Sequence, residues 1–71
     1  MTLSSIKKNL ATMESGECRW IGREDVHVYC RNPHNAAVPT YKVVTPKRPH
    51  AKQKWIEADD AAALIINLAN D

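Results

Sequence analysis

The stretch Gly16–Asn32, GECRWIGREDVHVYCRN, decides the fold. Two short segments, ECRWIG and VHVYCR, are rich in β-branched, aromatic and cysteine side chains. They flank a polar run of Arg23, Glu24 and Asp25. This pattern predicts a β-hairpin with a tight turn. Alternation along a strand sends Val26, Val28 and Cys30 to one face and His27, Tyr29 and Arg31 to the other. A turn centred on Glu24 sets Cys18 opposite Cys30 and Trp20 opposite Val28, all on the core side. A slip of one residue would reverse this arrangement, because side chains alternate with a period of two.

Upstream of the hairpin, Leu3, Ile6, Leu10 and Met13 recur at helical spacing. A helix is expected from about Leu3 to Glu14, with Thr2 as N-cap and Gly16 as its stop. Downstream, NPHNAAVP (Asn32–Pro39) carries the prolines and asparagines of a loop. TYKVVT (Thr40–Thr45) is expected as a third strand, and KWIEA (Lys54–Ala58) as a short fourth. Asp59 is placed to cap a second helix running to about Ala69, with Ala61, Leu64, Ile65 and Leu68 facing the core. The resulting order is α-β-β-β-β-α. It predicts a single domain over residues 1–71, an α+β fold in which an antiparallel meander of three to four strands is flanked by an N-terminal and a C-terminal helix. The tryptophans Trp20 and Trp55 are expected in the core, since the chain has no phenylalanine to fill it.

A chain of 71 residues has little scaffold left over to hold a catalytic cleft rigid. The longest apolar run, AAALII (Ala61–Ile66), is far below the roughly 18 residues that span a bilayer. The N-terminal segment lacks the uninterrupted apolar stretch of a secretory signal. A cytoplasmic location and no membrane partner are therefore expected, with both cysteines as thiols.

Candidate chemical sites are few. Cys18, His27, Cys30 and His34 are ligand types that suit zinc. Their spacing includes no short C-x-x-C knuckle, and strand alternation separates His27 from Cys30. Cys18, Cys30 and His34, with His50 reaching over, form the best set; the alternative is two small buried thiols and solvated histidines. A Cys18–Cys30 disulfide fits the assumed register but not a reducing compartment. The acidic pairs Glu24–Asp25 and Asp59–Asp60 are adjacent, so their side chains diverge and do not converge on a substrate. With two glycines in the chain there is no phosphate-binding glycine loop. No enzymatic activity, cofactor or small-molecule substrate is expected.

Charge is distributed unevenly. Lys42, Lys47, Arg48, Lys52 and Lys54 lie in a segment with no acid, whereas Glu57 to Asp71 carries four acids and no base. TPKRPHAKQK (Thr45–Lys54) is expected as an extended, mobile finger, since Pro46 and Pro49 remove backbone donors. Lys42, Lys47, Arg48, His50, Lys52 and Lys54 are candidate contacts for an anionic surface. Tyr29, beside Arg19 and Arg31, has the composition of an interface hot spot. The function expected from these features is regulatory and non-enzymatic. The protein would dock on a larger protein or nucleoprotein assembly, such as RNA polymerase or a nuclease or defence complex, and modulate it. Bacteriophages and mobile elements encode many compact proteins of that kind, an argument by analogy. The alternative is direct DNA or RNA binding through Lys42–Lys54, whose affinity would fall steeply with salt.

Overall fold

A computed structural model describes residues 2–32 and 38–70. His34 and most of the Asn32–Pro39 loop lie outside the described residues. Helix α1 (Leu3–Ala11) is followed by strands β1 (Cys18–Trp20), β2 (His27–Arg31) and β3 (Thr40–Val44). A 3-10 turn (His50–Lys52) then leads into strand β4 (Ile56–Glu57) and helix α2 (Ala58–Ala69). The strands form an antiparallel sheet in the order β1-β2-β3-β4. This is the α+β meander with terminal helices that the hydrophobic periodicities predict.

Both helices pack on one face of the sheet. The core between the layers contains Ile6, Leu10 and Met13, then Ile21, Val26, Val28 and Cys30, Tyr41 and Val43, and Ala61, Ala62 and Ile65. Ala61 and Ala62 are fully buried. Their small side chains let α2 lie close to both α1 and β3. Tyr41 is the core's one aromatic residue, and its hydroxyl donates to the Leu10 carbonyl at 2.9 Å. That bond ties β3 to α1 and satisfies a phenol that would otherwise be costly to bury.

Thr2 caps α1 as expected. Its side chain accepts from the Ser5 N–H while Ser5 Oγ accepts from the Thr2 N–H, a reciprocal capping box. The helix ends at Ala11, earlier than Glu14, because Thr12 takes the C-cap position. Met13 still reaches the core from beyond the helix. In α2 the N-cap is Glu57, without a side-chain bond, and not Asp59. Asp59 and Asp60 occupy the first turn, where the positive end of the helix dipole favours carboxylates.

The β1–β2 register differs from expectation by one residue. Cys18 lies opposite Tyr29, Arg19 opposite Val28 and Trp20 opposite His27. The cause is the turn. Ile21 N–H donates to the Val26 carbonyl, so Gly22 joins Arg23, Glu24 and Asp25 in the connection. Gly22 has φ +87°, a conformation glycine adopts without steric cost. Adding one residue to the turn reverses every side chain of β1 relative to β2. Cys18 and Trp20 therefore leave the core side and Arg19 enters it.

Arg19 then meets the C-terminal end of α1. Its guanidinium donates to the Asn9 carbonyl (3.1 Å) and side chain (2.7 Å), and to the Thr12 hydroxyl (2.7 Å) and carbonyl (3.3 Å), while Glu17 pairs with it. Helix ends leave carbonyls without intrahelical partners, and a cation there is favoured by the dipole. Arg19 supplies both charge and donors. The same contact, followed by the Glu14 N–H, holds the Glu17 carboxyl below its usual pKa. A depressed carboxylate contributes stability above its unfolded pKa and loses it as pH falls through the folded value. The Glu17 contribution is thus present at neutral pH and lost in acid.

Arg19→Ala should cost about 2 kcal/mol by removing these charge-assisted bonds. The expected readout is a lower urea midpoint at unchanged slope. The wild-type advantage over the variant should shrink as pH is lowered through the glutamate range.

Candidate interaction surface

The face of the sheet turned away from the helices is the candidate site. Antiparallel register places its side chains in rows across the strands. Trp20, His27 and Val44 form one row, Cys18, Tyr29 and Lys42 the next, and Arg31, Thr40 and Glu57 a third. Trp55, immediately before β4, reaches the same face beside Lys42 and Arg31. The chain has two tryptophans, two tyrosines and no phenylalanine. All of these except Tyr41 lie on this face, which corrects the expectation that both tryptophans fill the core.

The rings engage one another and the neighbouring cations. Trp20 and His27 meet edge to face with centroids 4.9 Å apart. Tyr29 and His50 do the same at 5.1 Å. Lys42 Nζ stands 4.7 Å from the Trp55 ring centroid, and the Arg31 guanidinium carbon 5.7 Å from it. Both lie within the roughly 6 Å at which a cation is attracted to an aromatic face. Lys42 is only 8% exposed, and no ion pair among the described residues engages it. Trp20 is the opposite case, 65% exposed on the edge strand.

The basic stretch Thr45–Lys54 is folded and does not form the extended finger expected. Thr45 and Arg48 exchange two backbone hydrogen bonds (3.1 and 3.0 Å) around Pro46 and Lys47. The His50–Lys52 turn then carries the chain round the edge of β3. His50 lands on Tyr29 on the outer face. Arg48 is half-buried and donates from Nη2 to Gln53 Oε1 at 2.8 Å. Lys47, Lys52 and Lys54 are exposed, and none of the basic side chains of this stretch forms a salt bridge to a carboxylate among the described residues.

Tyr29, Arg31, Lys42 and His50 are thus brought together as candidate contacts. Arg19 is not among them, because the register turns it toward α1. Trp20, His27 and Trp55 belong to the surface and were missed by sequence reasoning. The signal available was Gly22, whose inclusion in the turn changes its length from odd to even.

The metal and disulfide readings meet the same obstacle. Cys18 is exposed on the outer face and Cys30 is buried on the core face, so the two cannot face each other. Among the described residues, no group of three or more His, Cys, Asp or Glu side chains could hold a metal ion. Burial, followed by the Glu17 carboxylate, pushes the Cys30 thiol above its ordinary pKa. The Cys18 sulfur beside it, and then burial, raise the Tyr29 phenol as well. No helix among the described residues is long and apolar enough to cross a membrane. No protein-family model matches the chain, and neither a curated protein nor a solved structure shows significant similarity to it.

A thiol-specific reagent should titrate Cys18 rapidly in the native protein and reach Cys30 only on unfolding. Rapid reaction of both thiols under native conditions would contradict this placement.

Proposed function

We propose that the protein is a non-enzymatic regulatory module that docks on a larger nucleic-acid-processing assembly through the outer face of its sheet. The observation that carries this reading is the placement of Trp20. A tryptophan 65% exposed leaves apolar area in water that burial would stabilise by about 25 cal/mol per Å². A partner surface that covers the ring recovers that energy. Around it, Tyr29, Trp55 and Arg31 supply the residue types enriched at interface hot spots.

Charge favours an acidic partner surface. Among the described residues, Arg31 and Lys42 on this face form no salt bridge, and Lys47, Lys52 and Lys54 add exposed positive charge at the sheet edge. Glu57 is the carboxylate in the described strand rows of the same face. Long-range attraction would speed encounter, and the aromatic cluster would hold the complex once formed.

Direct binding of a nucleic-acid single strand is the second reading. Aromatic side chains among cations on an open sheet can stack on unpaired bases. The ring geometry makes this weaker. Each ring is already engaged, Trp20 with His27, Tyr29 with His50 and Trp55 with Arg31 and Lys42, and Trp20, 65% exposed, is the one with most area left to stack.

A photo-crosslinking residue at position 20 should capture a defined partner from lysate, identifiable by mass spectrometry, whereas the same residue at Ala63 should not. With the purified partner, Trp20→Ala should weaken binding about 30-fold, the ~2 kcal/mol of a hot spot. Arg31→Glu should slow association. A salt-sensitive shift of the Trp20 and Arg31 amides by a short single-stranded oligonucleotide, with no protein captured, would instead establish the second reading.

A further inference from the structure

We infer that the helix side of the sheet carries a second binding site, a pocket for a carboxylate attached to an aliphatic group. It does not rest on the docking reading, because it opens on the side of the sheet opposite Trp20. Strand β4 spans only Ile56 and Glu57 and pairs with Thr40 and Tyr41. Val43, further along β3 and facing the helices, therefore has no β4 neighbour beside it. The gap is a pocket of about 260 Å³. Val43, Ile56 and Leu64 give it apolar walls, and Arg48, Lys52 and Lys54 supply three cations.

Among the described residues, no carboxylate lines this pocket. Among the described residues, the Arg48 guanidinium makes one hydrogen bond, from Nη2 to Gln53, and its buried Nε has no partner. The Nε lies out of a ligand's reach, but an oxyanion is the natural complement of the remaining Nη donors. The planar guanidinium fork matches a carboxylate in two parallel bonds. The apolar walls select what the carboxylate is attached to. Ile56 and Leu64 are only partly buried, and a short aliphatic chain would cover them where a fully hydrated inorganic anion would not. The ligand class is thus an aliphatic carboxylate, either a free short-chain acid or the C-terminal leucine or isoleucine of a polypeptide.

The test uses amide NMR on the intact protein with hexanoate, its neutral analogue hexanamide, and a short peptide ending in leucine with a free or an amidated terminus. Hexanoate is expected to shift the Val43, Arg48, Ile56 and Leu64 amides saturably and about 10-fold more tightly than hexanamide, the effect of a charge-assisted bond. The free-terminus peptide should likewise exceed its amide. A peptide that binds more tightly than hexanoate identifies a polypeptide source, and the reverse order identifies a free acid. Arg48→Gln should remove the preference for the charged ligands, with amide dispersion checking that the variant folds. Equal affinity for hexanoate and hexanamide in the wild-type protein would overturn the proposal, as would shifts that fail to saturate or fall outside the pocket. Neither result would bear on crosslinking at position 20.

Discussion

The even-numbered turn between Ile21 and Val26 is the constraint on which the rest of the structure depends. In an antiparallel pair, one residue more or less in the turn exchanges the two faces of a strand. With Gly22 included, Arg19 points toward the helices and Cys18 and Trp20 point away. Arg19 then satisfies the carbonyl end of α1 and anchors that helix over the sheet. The same parity that attaches α1 therefore also builds the opposite face. One backbone feature at Gly22 sets both the packing of one layer and the chemistry of the other.

That division makes the two sides unlike. Between sheet and helices the side chains are aliphatic, with Tyr41 as the single ring. The buried alanines of α2 keep the layers close and leave little volume for an indole. On the outer face the rings are held against histidines and cations, not against a hydrocarbon layer. Such contacts stabilise less than full burial, each on the order of 1 kcal/mol. A small protein that keeps both tryptophans out of its core gives up stability where it can least spare it.

Much of the architecture was legible from local pattern. The Ile6, Leu10 and Met13 stripe and the apolar face of α2 follow from a period of 3.6, and the strands follow from a period of two. Thr2 was legible as a cap because its side chain acts on a neighbouring turn. At the candidate surface, Tyr29, Arg31, Lys42 and His50 could be singled out by residue type. Trp20 and Trp55 could not, because a tryptophan in a small chain is assigned to the core unless the register is known. Arg19 was misplaced for the same reason. The conformation of Thr45–Lys54 was also hidden. Its prolines suggest extension, but its fold comes from the Thr45–Arg48 pairing, the Arg48–Gln53 bond and the seat of His50 on Tyr29.

The amino-acid sequence by itself determined the kind and order of the two helices and of a meander of three to four strands, since these follow from hydrophobic periodicity within a few residues. Only the tertiary structure decided which side of the sheet each β1 side chain occupies, and where the basic segment comes to rest. The reason is physical. The phase of a strand is a one-residue quantity governed by turn backbone geometry, and a loop's resting place depends on contacts with residues far away along the chain. Neither quantity is carried by composition or by hydrophobic period.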